Sequence, residues 1–98
     1  MNLKNICTEV LVIAEKLEYG EISFTYDKLA CAMKMGHPCE FITEALSDVF
    51  LKVRDGVTPT KKEVDDLLKA LKRIKRNFKI SELSKPIKEL TTYIENMN

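Results

Sequence analysis

The chain has no tryptophan, one histidine, three cysteines, three glycines and three prolines in 98 residues. Each shortage excludes something. Cys7, Cys31 and Cys39 are an odd number with no CxxC pair, which argues against a disulfide framework and against a thioredoxin-type motif. Reduced thiols suit a cytosolic protein. With His37 as the only histidine, any histidine-based catalysis or phosphoryl transfer must use it. No apolar run approaches the roughly eighteen residues that span a bilayer. Glu9, Glu15 and Glu18 interrupt the first apolar run, so no secretion signal is read there and the expected location is the cytoplasm. A nucleophile elbow, a glycine-rich phosphate loop and a serine-histidine-aspartate set are all missing, so neither an independent enzyme nor a cofactor is expected. No charge sign dominates either. Sixteen basic and fifteen acidic residues leave the whole molecule without a strong field to draw in nucleic acid or membrane.

What is present is helical periodicity. Phe41, Ile42, Ala45, Leu46, Val49, Phe50 and Val53 recur at three- and four-residue steps, as do Val64, Leu67, Leu68, Leu71, Ile74 and Phe78. Between them Asp55-Gly56 stops one helix, and Thr58-Pro59-Thr60 restarts the chain, with Thr60 and Glu63 in capping-box spacing. Two such stripes joined by a short loop must pack antiparallel. A first helix is read from about Leu3 to Leu17, with Leu3, Ile6, Cys7, Val10, Ile13, Ala14 and Leu17 inward and Leu11 and Val12 widening the stripe, and a second from about Thr25 to Met35 carrying Leu29, Ala30 and Met33 inward. Gly36-His37-Pro38 makes a break before the hairpin. A fifth helix follows it, with Ser81 and Ser84 as caps, Pro86 in an early turn, and Leu83, Ile87, Leu90, Ile94 and Met97 spaced like a coiled-coil seam. That seam either closes the bundle or pairs with a second chain as a homodimer. Two-residue alternation is confined to a few residues around Ile22 to Tyr26, too short for a sheet. The expected fold is all-α, a compact antiparallel bundle of four to five helices in one domain over residues 1–98.

Charge is uneven along the chain. Residues 1–66 carry eight basic and twelve acidic side chains, whereas residues 67–98 carry eight basic and three acidic. The densest group is Lys69, Lys72, Arg73, Lys75, Arg76 and Lys79, continuing through Lys85 and Lys88. It is a candidate grip for an acidic partner. Equally, cations near a helix C-terminus offset the negative end of the macrodipole while Asp65 and Asp66 serve the other end. A nucleic-acid binder normally has a more basic domain with stacking aromatics, and here Tyr93 and Phe78 alone lie close in sequence to the cluster. Asp65 and Asp66 are adjacent and splay about 100° apart on a helix, so they are not paired for acid/base work.

The run Ala30-Cys31-Ala32-Met33-Lys34-Met35-Gly36, then Leu46-Ser47-Asp48-Val49-Phe50-Leu51-Lys52-Val53-Arg54-Asp55-Gly56, Thr58-Pro59-Thr60 and Val64-Asp65-Asp66-Leu67-Leu68-Lys69-Ala70-Leu71, resembles the histidine phosphotransfer domain of chemotaxis-type histidine kinases. The likeness spans residues 25–78. In that family a solvent-facing histidine on the second helix carries the phosphoryl group and a lysine three positions later stabilises it. Lys34 matches the lysine, but Cys31 stands at the carrier position, Met35 stands where the family often has glycine, and the connection to the next helix is about six residues short. The resemblance therefore implies a degenerate domain that docks a receiver domain or kinase without passing phosphate. A thiol offers no imidazole nitrogen for a phosphoramidate.

The candidate partner-binding residues are thus Cys31, Lys34, Lys72, Arg73, Lys75, Arg76 and Lys79, with His37 as the alternative phosphoryl acceptor. Set between Gly36 and Pro38, His37 is expected to cap or precede a helix rather than stand mid-helix. His37, Cys39 and Cys31 carry zinc-type donor atoms, yet their spacing lacks the paired CxxC or HxxxH pattern, and no metal is assigned. The leading expectation is a small regulatory, signalling module that binds a protein. An active carrier using His37, a nucleic-acid binder using the Lys69–Lys79 cluster, and an inhibitor or immunity-type protein are the alternatives.

Overall fold

The computed structural model of the chain describes residues 2–25 and 36–97. The helix read over residues 25–35, with Cys31 and Lys34 on it, lies outside the described residues apart from Thr25, which is in an irregular stretch. Four α-helices are described: α1 (Leu3–Glu18), α2 (Pro38–Arg54), α3 (Lys61–Phe78) and α4 (Ser84–Glu95), the last entered through a 3₁₀ turn at Ser81–Leu83. There is no strand among the described residues, and none of their helices is long and apolar enough to cross a membrane.

Each helix carries its own start and stop signals. Asn2 caps α1 through its side chain, which accepts from the Lys4 N–H at 2.7 Å. α2 starts three residues before its apolar stripe because Pro38 is preset for a first turn and His37 caps it. α3 opens on the complete capping box: the Glu63 N–H donates to Thr60 Oγ1 at 3.2 Å, and the Thr60 N–H donates to Glu63 Oε1 at 2.9 Å. The same Glu63 oxygen accepts from Lys52 Nζ at 2.6 Å, so the cap of α3 is tied to the last turn of α2. The serine caps expected for the last helix do not form. Neither Ser81 nor Ser84 makes a side-chain cap bond, because the chain turns from 3₁₀ directly into α geometry at Leu83 and has no extended cap residue there.

The first three helices end in the same way. After α1 the Glu21 N–H reaches back to the Lys16 carbonyl, after α2 the Val57 N–H reaches Lys52, and after α3 the Ile80 N–H reaches Lys75. This six-to-one bond needs a left-handed residue just past the helix. Gly20 (φ 76°) and Gly56 (φ 78°) supply it in two cases, and Lys79 (φ 58°) in the third.

The helices stand at the corners of a square: α1 beside α2, α2 beside α3, α3 beside α4, and α4 back beside α1, with no backbone approach across either diagonal. One core fills the middle. Ile6, Cys7, Val10 and Leu17 from α1, Ile42 and Val49 from α2, Val64, Leu71 and Phe78 from α3, and Leu83 and Leu90 at the last corner are nearly inaccessible to water. The seam on α4 therefore closes the bundle, with Leu90 fully buried and Ile87 and Ile94 half-buried against the core. An aromatic group seals one end. Phe41 stacks on Phe78 at 6.0 Å, while Phe24 meets Phe78 edge-on at 6.3 Å and the His37 ring edge-on at 4.8 Å. The Thr25 N–H donates to the Phe78 carbonyl at 2.8 Å, which ties the segment after α1 to the end of α3.

Candidate functional site

Of the titratable groups expected to carry chemistry, His37 is held in structural work, and Cys31 lies outside the described residues. His37 Nδ1 accepts from the Cys39 N–H at 3.1 Å as the cap of α2. A neutral ring that accepts at Nδ1 carries its proton on Nε2, so its one free lone pair is already occupied by the backbone. Cys7 is fully buried, and burial raises its thiol to about 11. Burial also raises Cys39, with help from the charges of Glu18 and Glu40. Neither thiol is a poised nucleophile. No group of three or more histidine, cysteine, aspartate and glutamate side chains converges among the described residues.

The basic cluster divides in three on the folded chain. Lys69 is paired with Asp65 at 3.0 Å. Arg73 turns toward α2, where it borders a groove with Glu44 and Asp48. Lys72, Lys75, Arg76 and Lys79 stay together on the α4 side of α3, around an open depression of about 700 Å3 with Ile80, Ser81 and Ile87. None of these four cations has an ion-pair partner among the described residues. Of the outlying lysines, Lys85 turns away to Glu9 at 3.3 Å. The helix C-terminus accounts for some of this charge, because Lys75 and Arg76 lie in the last turn of α3. Lys79 is the C-cap itself, so the same end of the helix accounts for its charge too. That residue holds a left-handed conformation costing an L-residue roughly 1 kcal/mol, at the position where α1 and α2 use glycine.

The apolar residues of this surface were not evident from the cluster itself. Ile80 lies past the end of α3 and Ile87 on α4, so only the turn through Ser81–Leu83 brings them beside the lysines. Their signal in the sequence was a pair of isoleucines close after a basic run.

A second electrostatic feature sits where α4 meets α1. Glu9 Oε2 is buried without a hydrogen-bond partner. Glu89 lies beside it, and its carboxyl is raised above the ordinary glutamate range by burial first, then by its hydrogen bond to Glu9 and by the Glu9 charge, with Lys85 opposing. A protonated Glu89 donates to Glu9, whereas an ionised one repels it. Because the folded chain holds this proton more tightly than the unfolded chain, Glu89 favours folding most at low pH, and the benefit is lost as pH rises through its folded pKa. Glu63 acts in the opposite sense. Lys52 and the Thr60 cap lower it to about 2, so its contribution is present above pH 4.5 and fades as pH falls toward 2. Glu89→Gln, which supplies a permanent donor, is expected to raise Tm at pH 7 by a few degrees. Melting curves from pH 4 to 7 check it: the gain should vanish at the acid end, and an equal gain at both ends would contradict the shared proton.

Compared with protein-family models, with curated proteins and with solved structures, the chain matches none.

Proposed function

We propose that this chain is a non-catalytic protein-docking module of the histidine phosphotransfer type, working in the cytoplasm without a carrier histidine, and that it grips an acidic partner through Lys72, Lys75, Arg76 and Lys79. One observation carries the reading: four cations without counter-ions converge around the half-buried Ile87, above the core residue Ile80, and one of them is held in a backbone conformation that costs stability. Charge without an internal partner speeds encounter with an opposite field, and the half-buried Ile87 beside it supplies apolar contact once water is displaced. The family resemblance suggests a receiver domain or a kinase as that partner. Arg73 is not part of this grip, since it borders the groove on the α2 side. His37 does not serve as a carrier in this reading, because capping uses its free lone pair.

The test is affinity capture from the source cells with the wild-type chain and with Lys75→Glu/Arg76→Glu, followed by titration of the recovered protein. The expected partner is acidic, binds the wild type, and loses affinity for the double variant by about tenfold to a hundredfold at roughly 0.1 M salt, with the gap closing near 1 M. Lys79→Gly is expected to gain roughly 1 kcal/mol of stability and to bind less tightly. Equal affinity of wild type and double variant would remove this surface. An acid-labile mass gain on His37 after exposure to a small-molecule phosphodonor would restore the carrier alternative.

A further inference from the structure

On the far side of α3 lies a groove of about 510 Å3 between α2 and α3. Residues 63, 66, 67, 70, 73, 74 and 77 of α3 line it. At 100° per residue these centre roughly 180° around the helix from Lys72, Lys75, Arg76 and Lys79. Its floor is apolar, and it is open in the middle because Ala45 on α2 and Ala70 on α3 are short. Its rim is acidic. Glu44, Asp48 and Asp66 have no ion-pair partner among the described residues, Glu63 is already bound to Lys52, and Arg73 is the one cation on the edge.

We propose that this groove is a second docking site, for an amphipathic helix carrying large apolar side chains along one face and lysines or arginines beside them. The rim supplies the charge argument: three uncompensated carboxylates against one guanidinium favour a basic occupant. The walls supply the shape argument. Both are helices whose backbone groups are bonded within themselves, so an extended strand finds no ladder to join, whereas a helix lays anchors at i, i+3/i+4 and i+7 into such a trough. From Glu63 to Phe78 the groove runs roughly 20 Å, the length of about four helical turns. A second copy of this chain is a poor occupant. Among the described residues the exposed large apolar ones, Val12, Tyr19, Leu51 and Val57, are scattered rather than aligned along one helix, and the basic face lies opposite the groove, so copies would join in an open chain without closing.

This inference stands apart from the proposed function, because the two surfaces share no residue. The probe is a synthetic four-turn peptide with leucines on one face and lysines beside them, titrated by fluorescence anisotropy at physiological salt. Two controls replace its lysines with glutamates or its leucines with alanines. The leucine-lysine peptide is expected to bind at least about tenfold tighter than either control. Ala70→Leu, which fills the middle of the groove, and separately Glu44→Lys/Asp48→Lys on its exposed rim, are each expected to weaken that binding by about tenfold. Lys75→Glu/Arg76→Glu should leave it as tight or tighter. The proposal is overturned if the leucine-lysine peptide fails to bind, if the glutamate peptide binds equally well, or if both groove variants bind as wild type. Sedimentation is the remaining arm, and a wild-type dimer broken by Ala70→Leu would assign the groove to a second copy instead.

Discussion

Phe78→Ala is expected to cost about 3–5 kcal/mol, enough to leave the chain partly unfolded at room temperature if its stability lies near the low end of the usual 5–15 kcal/mol. Among the described residues Phe78 is the largest side chain with no exposure to water. It lies under Phe41 at 6.0 Å and against Phe24 at 6.3 Å, so its loss opens a void that three elements border. The rings cannot slide in to fill it, because Phe24 is also held by the His37 ring and its neighbour Thr25 by the Phe78 carbonyl. Urea unfolding followed by circular dichroism measures the effect. Val57→Ala is the comparison, since Val57 is 52% exposed and its truncation should change stability by no more than about 0.5 kcal/mol. A Phe78→Ala loss as small as that of Val57→Ala would mean that the aromatic end does not hold the bundle together.

The second large effect is expected from removing residues 81–98. Leu83 and Leu90 are fully buried, and α4 covers the seam of both α1 and α3. Burying two leucines contributes roughly 3–6 kcal/mol, and the truncated chain would in addition leave the apolar faces of its two neighbours in water. The expected product keeps helical far-ultraviolet circular dichroism but loses its sharp thermal transition and binds a hydrophobic dye. If the last helix served only to pair two chains, the truncated protein would still melt cooperatively, and its Tm would not depend on concentration. These two outcomes separate a bundle-closing helix from a dimerising one.

Most of the fold can be read from local signals. The stripe on α1 names its seven buried residues, Leu3, Ile6, Cys7, Val10, Ile13, Ala14 and Leu17, but the Leu11 and Val12 that widen it are only half-buried and exposed. Thr60 with Glu63, and Gly56 after Asp55, mark the hairpin turn as it is observed. These signals act within about four residues, so neighbouring chain is all they require. The local rule also misleads in places. Ser81 and Ser84 look like caps but make no cap bond, since the chain enters α4 from a 3₁₀ turn. Lys79 reads as one more lysine in a basic run, and nothing beside it announces a left-handed residue.

The candidate site was less legible. A run of cations on one helix contains residues on several of its faces, and only the neighbours on each face decide what a cation meets. Lys69 meets Asp65 on its own helix, Arg73 meets the α2 groove, and the remaining four meet Ile80 and Ile87. The Glu9 and Glu89 carboxyls, distant in sequence, come close enough to raise the Glu89 carboxyl only because α1 and α4 are adjacent corners.

The amino-acid order alone determined that the described part of this chain is helical, where most of its helices start and stop, and which stripe of each turns inward, because caps, glycine turns and apolar spacing act between residues a turn or two apart. Which stripes face one another, which charges are left without partners, and where a groove stays open were decided by the packing of the four helices, because those properties belong to pairs of surfaces that the chain brings together only when it closes.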